Sequence, residues 1–371
     1  MGDEKFQSNK QLIMLPGPTN VSNRVMKAMA RPIINHRGPE FKELYKQLIE
    51  KVRYAFQTRN DVFVLTSSGT GGVECSISNV LSPGDEVLVP VNGVFSQRLK
   101  EKVEFFGGKP IEVPIEWGKA ATPEQLAAAA EGHDIRAIAV VYNETSTGTT
   151  MRGLKEVRKI SREYDALFIV DAISILGGDE LPVDNWGIDL CITGSQKCLA
   201  CPPGLALLSV SKRAWKVIEG VRSRAYYFDL SKMREFQKRL ETPFTPALPL
   251  FFALDEALTM VQEEGMENRI ERHRRCAQAF RDAMGELGLE LFADERWRSN
   301  TVISVKNPLG IEDEKLRKLM RERYDVVIAG GIGKLNGKIF RIGSMGIISE
   351  REISETINAL KGALKELGYK S

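Results

Sequence analysis

Short apolar runs alternate with helical patterns over most of the chain. The runs with strand character cover residues 61–65, 86–90, 135–142, 167–171, 190–193 and 205–209. Strands that alternate with helices form βαβ units around a mostly parallel sheet. Ligands of such sheets bind beyond the carboxyl ends of the strands, where the connecting loops gather. The pattern therefore predicts an α/β fold with its site at that edge of the sheet.

The two ends of the chain have different patterns. Two prolines and a glycine within residues 15–20 disfavour regular structure, so residues 1–20 are predicted to form an extended arm. After a proline-rich passage at 242–249, helical patterns at 251–264 and 269–287 precede strands at 301–305, 326–329 and 338–342 and a closing helix at 350–367. This order indicates a small α+β domain. We expect a large domain at 21–255 and a small C-terminal domain at 256–371.

Composition narrows the classes of function. The chain has 371 residues, and its net charge of +3 comes from 52 basic and 49 acidic side chains that are interspersed. No extended field for nucleic acid or an anionic membrane is expected from this distribution. The densest basic stretch, residues 269–275, is interpreted as a solvated helix face.

Cysteine usage points to a reducing compartment. The five cysteines are scattered, and neither a signal peptide nor a long apolar span opens the chain, so a cytoplasmic location is expected. Cys198 and Cys201 form a C-x-x-C pair, which could be half of a zinc site or a redox pair. No second Cys/His pair with ligand spacing accompanies it, so we favour simple packing and predict no metal.

Lys197 and Asp171 carry the main candidate chemistry. Asp171 ends the apolar run 167–171, and Lys197 lies in Gly-Ser-Gln-Lys after the next run. An amine can hold an aldehyde as a Schiff base, and a carboxylate can keep a pyridine nitrogen protonated. At about 4 Å and an effective dielectric constant near 20, such a charge pair contributes roughly 4 kcal/mol, or about three pKa units. The two residues together predict a pyridoxal phosphate site.

A second motif has the character of a phosphate cradle. The run 61–65 leads directly into Ser68, Gly69, Thr70, Gly71 and Gly72, after which an apolar-periodic helix begins. Glycines allow the backbone to approach a ligand, and the first amides of a helix bind anions. The segment matches neither the P-loop nor the dinucleotide fingerprint. An ordinary turn remains the alternative interpretation.

Two further loops follow predicted strands. Phe95 comes after the second strand and could stack on a planar ring, although most phenylalanines are simply core residues. The segment 143–148, Asn-Glu-Thr-Ser-Thr-Gly, offers hydroxyl and amide groups that could bond a phenolic oxygen or the substrate. A capped turn explains that segment equally well.

Taken in order, these motifs resemble a known family. The motifs that carry the resemblance are Pro-Gly-Pro-Thr at 16–19, His-Arg-Gly-Pro-Glu-Phe at 36–41, Ser-Gly-Thr-Gly at 68–71, the segment 143–148, Val-Asp-Ala at 170–172, Gly-Ser-Gln-Lys at 194–197, Thr-Pro-Phe-Thr-Pro at 242–246 and Arg-Ile-Gly at 341–343. The series spans nearly the whole chain and is similar to the class V aminotransferases. Within them it is most similar to the alanine–glyoxylate and serine–pyruvate aminotransferases.

The resemblance implies a fold type I enzyme dependent on pyridoxal 5′-phosphate, with a mostly parallel seven-stranded sheet in the large domain. Lys197 would hold the cofactor and then move the proton at the substrate Cα, and Asp171 would pair with the ring nitrogen. Phe95 would stack on the ring, and Thr145 would lie near its phenolic oxygen.

The resemblance also implies a homodimer with shared active sites. Thr70, Gly71 and Gln196 would hold the phosphate, within the cofactor-binding segment 68–72, and a neighbouring subunit would complete that site with Thr245 and Thr242. These are positions of this sequence that match the family's motifs.

Substrate contacts complete what the resemblance implies. Arg341 would bind the substrate carboxylate, which suits a planar guanidinium, and Gly17 would lie close to the substrate. The role of His36 and Arg37 stays open, with structural packing favoured.

The reaction predicted from these residues is a two-step, ping-pong transamination. Alanine or serine would donate the amino group, and glyoxylate or pyruvate would accept it. An aspartate or other class V aminotransferase is the first alternative. A cysteine desulfurase or lyase is a weaker one, because a desulfurase needs a mobile cysteine late in the chain and none follows Cys276. A dehydrogenase-like nucleotide-binding protein is a further alternative, but the chain lacks the dinucleotide fingerprint of that class. A scaffold that has lost catalysis is another, and the presence of both Lys197 and Asp171 argues against it.

Overall fold

The structure is a computed structural model that describes residues 11–221 and 223–369. Its strands are β1 (Leu12–Ile13), β2 (Asp61–Thr66), β3 (Glu86–Val91), β4 (Lys109–Pro114), β5 (Ile135–Val141), β6 (Asn143–Glu144), β7 (Thr149–Thr150), β8 (Leu167–Asp171), β9 (Leu190–Gly194), β10 (Leu205–Val210), β11 (Val302–Lys306), β12 (Val326–Val327), β13 (Ala329–Gly330) and β14 (Ile339–Gly343). Its α-helices are α1 (Asn23–Met29), α2 (Pro39–Phe56), α3 (Gly69–Ser78), α4 (Val94–Phe105), α5 (Pro123–Ala130), α6 (Leu154–Glu163), α7 (Lys212–Ile218), α8 (Leu230–Gln237), α9 (Leu248–Glu264), α10 (Met266–Glu286), α11 (Asp313–Tyr324) and α12 (Glu350–Glu366).

The central sheet has seven strands in the order β2-β10-β9-β8-β5-β3-β4. Strand β10 is antiparallel to both of its neighbours, and the other pairs are parallel. This confirms the predicted α/β fold with a mostly parallel seven-stranded sheet. The apolar runs identified six of these strands and missed β4. That strand lies at the sheet edge and has prolines at both its second and last positions, which is where sheets tolerate proline.

Apolar side chains cover both faces of this sheet. Along β5, for example, Ile138 and Val140 belong to one core cluster and Ala137 and Ala139 to another on the opposite face. Strands buried on both faces have nearly continuous apolar sequences because helices cover each face. This burial explains why continuous apolar runs, without alternating polar residues, identified these strands.

The C-terminal part has its own core. Strands β11, β14 and β13 form an antiparallel sheet, and α10, α11 and α12 contribute to a third apolar cluster. The predicted strand at 326–329 is divided: β13 joins this sheet, whereas β12 pairs in parallel with β1. The described part of the arm, residues 11–20, therefore contacts the C-terminal part; residues 1–10 lie outside the described residues.

Helix α9 runs through residue 255, where we expected the domain boundary. Its side chains as far as Val261 lie in the core cluster of the large sheet, so the bounds of the two domains stay a prediction. Within 11–221 and 223–369, no helix is both long enough and apolar enough to cross a bilayer.

Candidate active site

A cavity of about 130 Å³ opens at the carboxyl ends of the parallel strands. Eight of the predicted site residues line it: Ser68, Gly69, Thr70, Phe95, Thr145, Asp171, Gln196 and Lys197. A larger, more open groove between α2 and α10 contains none of the predicted site residues. The topology therefore brings residues from five separate loops to one point, as expected for the edge where βα loops converge.

Lys197 projects toward the N-terminal arm. Its Nζ donates a hydrogen bond to the carbonyl of Pro16. A Cβ added at Gly17 would lie 2.4 Å from the lysine Cδ and 2.6 Å from Nζ, so any larger residue here would displace the amine. Burial lowers the pKa of Lys197 to about 8, which leaves about one amine in ten neutral at pH 7. The arm thus places a partly neutral amine at the wall of the cavity.

Asp171 ends β8, and its Oδ1 accepts a hydrogen bond of 2.9 Å from the amide of Ile173. Burial raises the pKa of Asp171 to about 6, and the charge of Glu144 acts in the same direction. A cation placed next to this group would favour its carboxylate form. A protonated ring nitrogen is such a cation, and the cavity provides the space beside Asp171 for one.

The start of α3 forms one end of the cavity. Ser68 is its N-cap residue, and the amides of Gly69 and Thr70 have no acceptor within the helix because they lie in its first turn. Among the described residues, the buried Oε1 of Gln196 has no hydrogen-bond partner. Backbone N–H groups that point outward from a helix start are suited to a bound anion. The Gln196 oxygen is an acceptor, so it would require a donor as its partner.

Gly71 and Gly72 do not line this cavity. A Cβ at Gly71 would lie 2.0 Å from Ser67 Oγ, and a Cβ at Gly72 would lie 2.8 Å from Ile192 Cγ2 and 2.9 Å from Ala206 Cβ. These two glycines let α3 lie close to the preceding loop and to the sheet. They position the helix, and their contact with a cofactor stays a prediction.

Phe95 is partly buried and lines the cavity, and it also packs against the core cluster on that side of the sheet. The guanidinium of Arg98 lies 5.2 Å from the centre of its ring. The residue thus packs against the core and also forms part of the cavity wall, and its stacking on a cofactor ring stays a prediction.

Thr145 belongs to a hydrogen-bonded group that sequence reasoning identified only in part. Its Oγ1 donates to Ser174 Oγ at 2.8 Å, and Ser174 Oγ also accepts from Asn143 Nδ2 at 2.8 Å and donates to the Asn143 carbonyl at 3.0 Å. Ser174 and Asn143 both line the cavity. Asn143 lies within the quoted 143–148 motif, whereas Ser174 follows Asp171 by three residues and was not singled out.

Arg341 lies behind this group, in β14, and is 6% exposed. Its Nε donates to the Gly330 carbonyl at 2.9 Å, and its Nη1 donates to the Thr145 carbonyl at 3.0 Å. Burial lowers the pKa of Arg341 to about 10, and the charges of Glu144 and Asp313 oppose that shift. The guanidinium therefore remains charged at neutral pH and adjoins the cavity through Thr145 without lining it.

Thr242 and Thr245 do not reach the cavity of their own chain. Thr242 Oγ1 donates to the Phe244 carbonyl, and Arg37 Nη1 donates to the Thr242 carbonyl at 2.6 Å and to Glu241 at 3.1 Å. Thr245 is exposed. Arg37 therefore has a structural contact, because it holds the start of the 242–246 segment in place. The role of His36 stays open.

Part of the basic stretch 269–275 supports the Lys197 loop. Arg269 is 3% exposed, donates to the carbonyl of Cys198 and pairs with Glu264 at 2.6 Å. His273 is fully buried, and burial lowers its pKa to about 3, so its ring is neutral. The interpretation of this stretch as a solvated face is wrong for these two residues, because α10 packs one of its sides against the loop that follows Lys197.

Cys198 and Cys201 are both unpaired and buried. The thiol of Cys201 belongs to the core cluster of the large sheet, and Cys198 packs with Val302 and Met345. Their environment is the apolar packing that we favoured for the C-x-x-C pair.

Comparison with known proteins identifies a family. The model of the aminotransferase class-V family matches residues 18–335. An uncharacterized aminotransferase of Methanocaldococcus jannaschii is 46% identical over 98% of this chain and 95% of its own. A serine–glyoxylate aminotransferase of Methylorubrum extorquens is 35% identical over 96% of this chain and 92% of its own.

Solved structures agree with this match. The crystal structure of an alanine–glyoxylate aminotransferase from Nostoc sp. superposes with a TM-score of 0.93 at 30% identity, covering 98% of this chain and 99% of that one. Further relatives are named for other donors to glyoxylate: (S)-ureidoglycine for a Bacillus subtilis protein and L-aspartate for a Paracoccus denitrificans protein, each 34% identical.

One cyanobacterial relative has a name of another kind. A Synechococcus protein, 40% identical over 97% of this chain and 94% of its own, is named the small subunit of a soluble hydrogenase. Across the described ranges of our chain, no three His, Cys, Asp or Glu side chains are grouped so that they could hold a metal ion.

Proposed function

The chain belongs to the class-V aminotransferase family, and from that premise we propose that it transfers the amino group of alanine or serine to glyoxylate or pyruvate in a ping-pong reaction. Its cofactor is pyridoxal 5′-phosphate. The observation that carries the proposal is that Lys197 and Asp171 face one cavity whose third wall is the start of α3. Relatives named for several donors share glyoxylate as the acceptor, which supports glyoxylate more strongly than it supports any one donor.

The residues present fit this cofactor. The amine of Lys197 and the carboxyl of Asp171 are complementary to an aldehyde and a pyridine nitrogen. The backbone N–H groups of Gly69 and Thr70 offer donors at the phosphate end. When bound, the cofactor supplies an electron sink that stabilises negative charge at the substrate Cα. Asp171 sustains that role by stabilising positive charge at the ring nitrogen.

Lys197 holds and moves a proton at the substrate Cα. Because burial brings the pKa of its amine to about 8, the neutral form is accessible near physiological pH, as a general base requires. Release of the amine from the Pro16 carbonyl would let the lysine side chain turn toward the substrate Cα for this step. The residues of the arm then exclude water from the side of the cavity that holds the lysine.

Arg341 binds the carboxylate of the amino acid or oxo acid. Two of its nitrogens donate to backbone carbonyls, which fixes the plane of the guanidinium. A charged and oriented fork next to the cavity selects substrates with a carboxylate on the reacting carbon. Gly17 keeps the space beside Lys197 free of any side chain, so a small substrate is favoured there.

We further propose a homodimer in which Thr245 of each subunit contributes to the phosphate end of the other site. In its own chain Thr245 is exposed and is not among the residues that line the cavity. Next to it, Tyr227 stacks on Phe244 with ring centres 5.0 Å apart, and Tyr226 is 76% exposed. Exposed aromatic clusters of this kind are typical of interfaces. Light scattering of the holoenzyme would give twice the chain mass, and a monomer that binds the cofactor at full affinity would refute this part.

The cysteines argue against a desulfurase. All five are buried, and burial raises the pKa of Cys198 and of Cys201 to about 12. A thiol that is buried and protonated at neutral pH cannot act as a mobile nucleophile. Five unpaired cysteines also support our proposal of a reducing, cytoplasmic location.

A panel of donors and acceptors tests the proposed function. Purified holoenzyme would be incubated with alanine, serine or aspartate against glyoxylate, pyruvate or 2-oxoglutarate, and the products would be separated. We expect glyoxylate with alanine or serine to give the highest kcat/KM. Aspartate as the preferred donor would replace the proposed substrates with the first alternative, and a coloured holoenzyme that exchanges no amino group would refute transamination.

A further inference from the structure

Glu144 is a fully buried carboxylate that holds the start of α4. Its Oε2 accepts hydrogen bonds from the amide of Ser96 at 2.8 Å, from Ser96 Oγ at 3.0 Å and from the amide of Phe95 at 3.1 Å. Its Oε1 accepts from the amide of Ser146 at 3.1 Å and from Ser146 Oγ at 2.5 Å. One side chain therefore satisfies five donors that belong to two different loops.

The backbone leaves room for this carboxylate only because residue 93 is a glycine. A Cβ at Gly93 would lie 2.4 Å from both Cδ and Cγ of Glu144 and 2.5 Å from Ser146 Oγ. Ser146 Oγ also accepts a hydrogen bond of 3.0 Å from the amide of Val94. The first amides of α4 thus meet a buried negative charge, an arrangement that stabilises a helix start.

Each of the two loops that Glu144 joins bears a candidate site residue. Phe95 donates a hydrogen bond from its amide to Glu144, and its side chain lines the cofactor cavity. Thr145 follows Glu144 directly; its hydroxyl donates to Ser174, and its carbonyl accepts from Arg341. Movement of Glu144 would therefore displace the ring-facing wall and the arginine's anchor together.

The charge of Glu144 also acts at a distance. It is the first of the charges that oppose the lowering of the Arg341 pKa by burial, and it contributes to the raised pKa of Asp171. A buried charge is retained at a cost unless it is well hydrogen-bonded, and the five donors meet that requirement.

We propose that Glu144 is a positioning residue for transamination, which fixes Phe95 against the cofactor ring and, through Thr145, holds Arg341 toward the substrate carboxylate. The inference rests on the proposed function and extends it to a residue that does not touch cofactor or substrate. It assigns a role to the second position of the 143–148 motif, which the sequence left as either a site or a capped turn.

Substitution with glutamine is the informative change. Each oxygen of Glu144 accepts from at least one backbone amide, so a glutamine in either orientation would point its NH2 group at a backbone N–H. Glu144→Gln keeps the size of the side chain and removes its charge. Ser146→Ala is a milder variant that removes one of the three donors to Oε1, which are the amides of Phe95 and Ser146 and the Ser146 hydroxyl. Glu112→Gln is the matched control, because Glu112 is exposed on β4 and pairs only with Lys100 in the described residues.

The experiment measures kcat, KM for each carboxylate substrate, and the visible circular dichroism band of the bound cofactor, which reports how firmly the ring is held. For Glu144→Gln we expect KM for both the donor and the acceptor to rise about tenfold and the dichroism band to weaken, because a buried donor would face another donor and the two loops would shift. Ser146→Ala would raise KM about threefold, and Glu112→Gln would match the wild type in every readout.

A lowered melting temperature with unchanged KM and dichroism would overturn the inference, since it would leave Glu144 with a purely structural role. If Glu144→Gln does not fold, Ser146→Ala decides by the same two readouts, with the same outcome against the inference. A wild-type enzyme that transaminates while both variants keep wild-type KM would refute the positioning role and leave the proposed function intact.

Discussion

Substitution of Gly17 by alanine tests how closely the arm approaches the reactive lysine. An alanine Cβ at this position would lie 2.4 Å from Cδ, 2.6 Å from Nζ and 2.8 Å from Cε of Lys197. All three atoms belong to a flexible side chain, so the lysine would move and the main chain would remain in place. We expect the variant to fold and to hold its reactive lysine in a less productive position.

The magnitude follows from the displacement. An ordinary carbon contact requires about 3.4 Å, so Lys197 must shift by about 1 Å, and a misplacement of that size costs about 10²-fold in rate. The backbone at Gly17 has φ +86°, which adds a strain of roughly 1–2 kcal/mol for any residue with a Cβ. The strain lowers stability, whereas the displacement lowers kcat.

Gly84→Ala separates these two effects. Gly84 has φ +92°, but a Cβ there would meet no atom within 4 Å. We expect both variants to lose a similar amount of stability in thermal unfolding and only Gly17→Ala to lose activity, by about 10²-fold in kcat. Equal kcat in the two variants would refute the close approach of the arm to Lys197.

Further predictions concern the charges at the cavity and the amine itself. Asp171→Asn removes the charge beside the ring nitrogen and is expected to lower kcat by about 10³-fold, since roughly 4 kcal/mol of charge stabilisation is lost. Steady-state rates of a variant that still binds the cofactor would check this. A loss of less than tenfold would contradict it. Arg341→Lys should raise KM for the carboxylate substrates about tenfold, whereas Arg351→Lys, at an exposed pair on α12, should leave KM unchanged. The neutral amine is the form that captures an aldehyde, and the pKa of Lys197 is about 8. The rate at which apoenzyme binds added cofactor should therefore rise with pH up to about pH 8 and then level off. A rate that still rises tenfold per pH unit between pH 9 and 10 would indicate a lysine with an ordinary pKa.

The sequence predicted the sheet well because buried parallel strands leave continuous apolar runs. It failed at β4, whose edge position allows prolines and charged side chains that conceal a strand. The strand β12 was also merged with β13, because only the pairing with β1 in the arm distinguishes the two. Pairing partners distant in sequence leave no periodic signal.

The candidate site was predictable where residues follow strands directly. Asp171 and Lys197 lie after runs that the pattern identified, so their convergence followed from topology. Ser174 and Arg269 were not predictable, because their roles come from contacts with Thr145 and with the carbonyl of Cys198 that only the folded chain creates. A buried arginine looks the same in sequence as a solvated one.

Reductive trapping is the most direct test of the central claim that Lys197 holds the cofactor. The holoenzyme would be reduced with borohydride, digested, and the modified peptide identified by mass spectrometry. Lys102 provides an internal comparison, because it is the other lysine that lines the same cavity. We expect a single pyridoxyl group on Lys197. A modification on Lys102, or none on any lysine of the cavity, would contradict it.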